Sequence, residues 1–412
     1  DHHIPQDGKI PKAYAVVNPK QESCHYKDKM LCGAGIAFKL VQAFVFKYGE
    51  YFKINKGWEK WLLDMVAVAT LADQVPLLDE NRVLAHYGLI VLRKAKRPGL
   101  VEIFKEASVS IGDITEEDIT FTLAPRINAA SRMSSPMDAF NALSVKDSKK
   151  ARDFATKLSS NNNDRKQQVA HIMKEVKSSI IKRKYTEENK SLVVIGNPKW
   201  NIGVLGIVAS KIVEEYKMTA FVWGRDESGL IKGSGRASGN TDLVGLLSLL
   251  PAEVLIEFGG HKGACGFTLK EEEIFFLEDK IMSVYDSVST EEDQGSIEAE
   301  TFLSLEDVNN ENYKVIEKLA PYGKDNPKPI FLFKNVEIFS LKEFGKERNH
   351  LEISFRDKSR RSIKAIAFFK TRDSYKDKLK EGAVIDLFAS IEKNNFLGRS
   401  EIRLRINDIV IK

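Results

Sequence analysis

Residues 191–236 read SLVVIGNPKWNIGVLGIVASKIVEEYKMTAFVWGRDESGLIKGSGR. Ser191–Ile195 predicts a strand, and Gly203–Tyr216 carries the spacing of an amphipathic helix. Thr219–Val222 and Leu230–Ser234 predict two further strands, so strand, helix and strand follow one another as in a parallel βαβ unit. Trp200–Ile207 opens the helix. Its first-turn amides favour an anion, and Gly203 and Gly206 equally allow close packing of helix on sheet. The unit runs to about Tyr285, where the acidic stretch Ser289–Glu300 reads as a linker.

Upstream, residues 149–184 are polar and lysine-rich, without proline or glycine, and Val169, Ile172, Met173, Val176 and Ile180 mark one helical face. That pattern predicts a long, half-solvated helix joining two domains. Residues 1–90 alternate α and β signals. Tyr14–Asn18 predicts a short strand, Gly33–Tyr48 a helix buried through Ile36, Leu40, Phe44 and Tyr48, Met65–Leu71 a helix or buried strand, and Asp79–Arg93 a helix. Downstream, Ile330–Phe333, His350–Phe355, Ile363–Phe368, Val384–Ser390 and Glu401–Ile406 predict five short strands, with an OB-fold barrel the leading candidate. The domains expected are residues 1–148, a connecting helix over 149–190, a second α/β domain over 191–288 and a barrel over 300–412.

Composition sets the outer bounds. A chain of 412 residues with 43% hydrophobic and 29% charged residues describes a globular protein of two or three domains. A net charge of +5 permits a nucleic-acid partner without demanding one. Cys24, Cys32 and Cys265 show no CxxC spacing, which argues against a zinc ribbon and fits a reducing cytoplasm. No apolar run is long enough to span a bilayer, so no membrane role is expected. The chain opens on Asp1 in the middle of a motif, and the expectation is that an N-terminal part has been cut away.

Five clusters carry chemistry. Asp1-His2-His3 joins a carboxylate to two imidazoles, a set suited to borderline divalent ions such as manganese. In an extended segment the two imidazoles point apart, one to a metal and one to substrate; a frayed end is the plain alternative. Asp73 follows the run Ala67–Ala72 and either binds metal or caps a helix end. Pro125–Arg132 holds Arg126, Asn128 and Arg132, with the forked geometry that phosphate oxygens take; surface ion pairs would use the same residues. Gly233-Ser234-Gly235-Arg236 follows a strand, either as a phosphate clamp or as a hairpin turn. Phe258–Phe267 surrounds His261 and Lys262 with Gly259, Gly260, Gly263 and Gly266, and here a ligand-lined pocket outweighs a surface loop.

Taken in order, Asp1-His2-His3, Cys32-Gly33-Ala34-Gly35, Leu71-Ala72-Asp73, Arg126–Arg132, Gly233–Arg236 and Gly259-Gly260-His261 resemble the RecJ exonucleases over essentially the whole chain. Leu319–Pro327 is similar to that family's entry into its OB-like domain. The resemblance implies an α/β fold: the remainder of a DHH parallel-sheet domain, a connecting helix, a DHHA1 domain and a C-terminal OB-like β-barrel. It implies removal of nucleotides from the 5′ end of single-stranded DNA, in repair and recombination, with two divalent ions, Mn2+ or Mg2+. His2 and Asp73 would hold metal, His3 would lie at the scissile phosphate, and Asp1 would fix the motif. Either Arg126 or Arg132, with Asn128, Ser234, Arg236, Gly259, Gly260 and His261, would meet the DNA. His261 would also serve in catalysis. A cytoplasmic monomer working with a single-strand-binding protein and a helicase would fit. Phe331, Phe333, Phe355 and Lys364 are barrel candidates for the strand, core packing being the other role of the phenylalanines.

The chain departs from the pattern in three places. Two further aspartate motifs that supply metal ligands in the family are absent, so residues 1–412 alone are expected to have little or no activity. Asn201 stands where histidine is usual, and Ala237 where serine commonly follows. The competing readings are a relative that cleaves short oligonucleotides, cyclic dinucleotides or pyrophosphate, and a non-catalytic replication protein.

Overall fold

The computed structural model describes residues 2–5, 10–185, 191–285, 287, 297–345, 348–375, 379–394 and 400–412. Asp1 and most of the expected linker lie outside the described residues. The chain divides into two compact units, Asp1–Arg93 with Ser296–Lys412, and Lys94–Gly295.

The first unit begins with α1 (Gly33–Tyr48), α2 (Leu63–Ala72) and α3 (Asp79–Leu92). The run at 65–71 is therefore helix. A Cβ on Gly88 would lie 2.4 Å from the Ala67 Cβ, so glycine sets how closely α2 and α3 approach. The seam expected on α1 is corrected: Ile36 is buried, whereas Leu40, Phe44 and Tyr48 are exposed and Phe38 enters the core with Leu31, Val66 and Leu84. Helical spacing locates an apolar stripe but not what covers it. Tyr14–Asn18 forms no strand either; a β-rich run becomes a strand only with a paired neighbour, and none of the described residues supplies one.

The second unit contains α4 (Pro98–Glu106), α5 (Ala124–Met133), α6 (Pro136–Ser144) and α7 (Ser148–Lys182). Asp147 caps α7 by accepting from the Lys150 N–H at 2.8 Å. The first half of α7 packs on α4, α5 and α6, and its second half buries Val169, Ile172, Val176 and Ile180 in one core with Val193 and Ile195. There follow β1 (Leu192–Gly196), α8 (Leu205–Tyr216), β2 (Thr219–Arg225), β3 (Ile231–Arg236), α9 (Leu243–Ser248), β4 (Leu255–His261), β5 (Ala264–Leu269) and α10 (Leu277–Tyr285). β1 and β2 pair in parallel with Leu192 opposite Thr219, as the βαβ reading requires. β3 turns antiparallel, and the sheet order is β1-β2-β3-β5-β4.

The first unit resumes with β6 (Thr301–Phe302), α11 (Asn310–Glu317), β7 (Phe331–Glu337), β8 (Ser340–Phe344), β9 (His350–Arg356), β10 (Ser362–Ala367), β11 (Val384–Asn394) and β12 (Glu401–Ile411). The five expected strands are joined by two short ones in a single sheet ordered β6-β7-β11-β12-β10-β9-β8. It is OB-like, although its pairings among the described residues do not close β8 onto β6. Phe331, Phe333 and Phe355 are core residues, and Lys364 pairs with Glu401 at 3.2 Å. Alternation sends those rings inward, so they offer DNA nothing. Among the described residues no helix is long and apolar enough to cross a membrane.

Candidate active site

Within the first unit, three short elements meet at His2. Its Nε2 lies 3.9 Å from Asp73 Oδ2, where Asp73 ends α2. The first residue of α1, Gly33, is close enough that an added Cβ would sit 3.8 Å from His2 Cδ2. Asn18 Nδ2 donates to the His3 carbonyl at 2.8 Å and fixes the segment from below. Burial holds the His2 imidazole below its ordinary value, with Asp73 pulling the other way. The net lowering favours the neutral ring, the form whose lone pair an ion would take.

One sequence expectation changes here. The His2 and His3 rings do not point apart; a bend at His3 brings their centroids to 4.5 Å. Asp73 is not a buried carboxylate, since its side chain is 47% exposed. One imidazole nitrogen and one carboxylate suit a divalent ion but form only one edge of a coordination shell. Among the described residues no group of three or more His, Cys, Asp or Glu side chains is placed to hold a metal.

Within the second unit, the basic residues converge. Arg126 and Arg132 lie on α5; Arg126 donates to the Thr122 carbonyl at 2.7 Å and to Ser159 Oγ at 3.3 Å, and Arg132 donates to the Gly203 carbonyl at 2.9 Å. Ser234 and Arg236 project from one face of β3, with Arg236 Nη1 3.1 Å from Ser234 Oγ. Gly206, in the first turn of α8, leaves them room: a Cβ there would come within 3.0 Å of Arg236 Nη2 and 3.2 Å of Ser234 Oγ.

The Gly-Ser-Gly-Arg stretch is therefore inside a strand rather than after one. Its glycines serve the opposite face, where a Cβ on Gly233 would strike the Phe267 ring at 2.1 Å and one on Gly235 would strike Cys265 Sγ at 2.6 Å. The glycine-rich run around His261 is likewise the β4–β5 hairpin, with His261 exposed beside the turn. Gly260 is required by φ +150 and by the Ala264 carbonyl 2.2 Å from any Cβ. Gly259 is different, because a Cβ there would meet nothing within 4 Å. A cavity of about 490 Å3 opens beside it, lined by Ile202, Leu205, Lys232, Glu257 and Phe258 among others. Asn128 is exposed, and among the described residues no hydrogen bond joins its side chain to these groups.

The sequence reading missed the contribution of α7. Asn162, Arg165 and Gln168 recur at one-turn spacing, and Asn162 Oδ1, Arg165 Nε and Gln168 Oε1 are buried without a hydrogen-bond partner among the described residues. Burial is the first cause lowering the Arg126, Arg165, Lys166 and Arg236 values. Mutual repulsion adds to it: Arg132 acts on Arg165 and Arg236, and Arg126 and Arg165 act on Lys166. The run Asn161-Asn162-Asn163-Asp164-Arg165-Lys166-Gln167-Gln168 reads as solvated helix surface, and only packing against α5 reveals its inner edge.

Comparison with known proteins agrees with this arrangement. Residues 1–70 match the DHH family N-terminal domain, residues 189–286 the DHHA1 domain, and residues 299–408 the RecJ OB domain. The chain is thus a DHH-family protein carrying a DHHA1 domain and an OB domain. It is 33% identical over 413 residues to the single-stranded-DNA-specific exonuclease RecJ of Bacillus subtilis, covering 100% of this chain and 50% of that protein. The Haemophilus influenzae protein of the same name is 30% identical over 422 residues, covering 99% and 72%. The crystal structure of RecJ in complex with Mg2+ from Thermus thermophilus shares the fold at a TM-score of 0.74 and 24% identity, over 93% of this chain and 56% of that one. A structure of exonuclease RecJ bound to manganese gives 0.55 and 28%, over 69% and 68%. The chain belongs to the RecJ family. It spans about half the length of the Bacillus subtilis relative.

Proposed function

We propose that this chain carries the strand-binding apparatus and part of the metal centre of an exonuclease that releases nucleotides from the 5′ end of single-stranded DNA. The basic cluster is the observation that carries the reading. Arg126, Arg132, Arg165, Lys166 and Arg236 lie close enough for their charges to interact, several half-buried; Glu106 offsets Arg126 in part, and among the described residues none of the five forms an ion pair. Holding like charges together at a desolvated site costs stability unless an anion offsets it. A polyanion with regularly spaced phosphates fits five cations, and the names of the relatives point to single-stranded DNA.

Ser234 and Arg236 would bind one phosphate jointly, and Arg126 or Arg132 its neighbour. The open backbone at Gly259, with Gly260 and His261, would approach the strand. His2 and Asp73 would hold a divalent ion, Mn2+ or Mg2+, with His3 beside the scissile phosphate, while Asp1 and a second ion belong to the proposal alone. Bound ions supply charge neutralisation at the phosphate being cleaved. A role in repair and recombination, as a cytoplasmic monomer working with a single-strand-binding protein and a helicase, extends the same reading.

The test is a 5′-labelled single strand with residues 1–412 and Mn2+, beside a duplex and a cyclic dinucleotide. Expected are salt-dependent binding of the single strand in preference to duplex, and little or no nucleotide release, because two donors do not complete a two-ion centre. Strong release by this chain would refute the partial-site reading. Cleavage of the cyclic dinucleotide, with the single strand left intact, would overturn the exonuclease.

A further inference from the structure

At one end of the β8–β9–β10–β12 edge of the OB-like sheet, four aromatic rings gather. Phe344 pairs in register with His350, and β10 runs on from Ala367, opposite Leu351, into Phe368 and Phe369. The ring centroids of His350 lie 5.3 Å from Phe344, 5.2 Å from Phe368 and 4.9 Å from Phe369. Arg405 lies over Phe368 at 4.3 Å, with Arg403 at 6.0 Å. Those two arginines share one carboxylate, Glu392, at 3.9 and 2.6 Å, so the cluster keeps a positive charge.

Phe369 is the unusual member. The residue is 80% exposed, and its backbone sits at φ +56, a region that bulky side chains avoid. The Phe369 N–H lies 3.0 Å from His350 Nδ1, and the same nitrogen of His350 lies 3.0 Å from the Asn349 carbonyl. Gly345, at φ +93, keeps clear the ground where His350 Cδ2 would stand 3.0 Å from a Cβ. The surroundings therefore hold an apolar ring out in water, in a strained conformation, at a cost in both terms. Strain of this kind persists where the surroundings over-determine it, and it clusters at ligand-binding sites.

We propose that Phe369, backed by His350 and Phe368, is a stacking seat for an unpaired nucleobase, with Arg405 placed for the adjoining phosphate. The assignment rests on the nucleic-acid reading above and adds its residues. A flat exposed ring, with the Arg405 guanidinium over the neighbouring Phe368 and sharing Glu392 with Arg403, matches a base and its phosphate, and stacking of that kind tolerates any base.

The experiment measures binding of oligo(dT), and of an abasic strand of equal length, to the 412-residue protein and its F369G and F369W variants by fluorescence anisotropy, with a thermal melt of each. F369G should bind oligo(dT) about tenfold more weakly, the loss of one stack, and the abasic strand as wild type does. Its melting temperature should hold or rise, since glycine relieves the positive φ, whereas a purely structural ring would lower it. F369W should restore oligo(dT) binding. Unchanged oligo(dT) binding by F369G, or an equal loss on both strands, overturns the seat and leaves the proposed function standing; the first result would point instead to a protein partner for this patch. Failure of the wild-type protein to bind either strand overturns both.

Discussion

Replacing Arg236 by methionine separates a phosphate-binding role from a structural one. Methionine keeps much of the volume and removes the charge and its bonds to Ser234 Oγ and the Gly235 carbonyl. If Arg126, Arg132, Arg165, Lys166 and Arg236 each meet a phosphate, single-strand affinity should fall with salt at a log–log slope of about −3.5. Raising salt fourfold would then weaken binding about 130-fold. With one cation removed the slope becomes about −2.8 and the loss about 50-fold. Stability should move the other way. Arg236 is desolvated, pushed below its ordinary value by burial and by Arg132, and its loss relieves both effects. The assay is a salt titration of oligonucleotide anisotropy alongside a thermal melt. A wild-type slope combined with a lowered melting temperature would refute the argument, because Arg236 would then be holding the sheet.

Other outcomes follow from the same geometry. Gly206→Ala places a Cβ 3.0 Å from the Arg236 guanidinium, so strand binding should fall severalfold while the melting temperature changes little, by the same two measurements. Gly260→Ala, at φ +150 and 2.2 Å from the Ala264 carbonyl, should destabilise by about 1–3 kcal/mol or more in urea titration. Gly259→Ala, which meets nothing within 4 Å, should leave stability unchanged and weaken strand binding. Burial pushes the Cys265 thiol from 9.0 up to about 11. The unfolded chain then loses its proton first, so the thiol's contribution to stability is complete below pH 9 and declines as the pH rises towards 11. Chemical denaturation across that interval should show the decline, and Cys265→Ser should reduce it. At pH 8 the thiol should resist alkylation until the protein unfolds.

How far the sequence reaches depends on whether a feature is local or distant in origin. Parallel pairing of β1 with β2 follows from a strand–helix–strand run whose connection permits little else. The long α7 follows from a run without glycine or proline that carries one apolar stripe. The strands of the OB-like sheet were legible from their alternation, as was the role of Phe333 and Phe355 as core alternatives to DNA contacts. The convergence of Ser234 and Arg236 also follows from spacing, because residues two apart in a strand share a face.

Tertiary structure alone decided the rest. Gly233 and Gly235 look like ligand glycines in sequence, yet space for Phe267 and Cys265, on a partner strand some thirty residues away, is what requires them. Asn162, Arg165 and Gln168 look like water-facing helix surface until α5 packs against α7, and Asn162 Oδ1, Arg165 Nε and Gln168 Oε1 are left buried without a partner among the described residues. Phe369 gives no sign of its positive φ. Periodicity reports which residues share a face, whereas cover, strain and the company of distant charges are fixed only when the elements pack. Asp-His-His and Asp73 suit metal binding by their residue types alone, but only folding brings His2 to 3.9 Å from Asp73 and turns His3 to the same side.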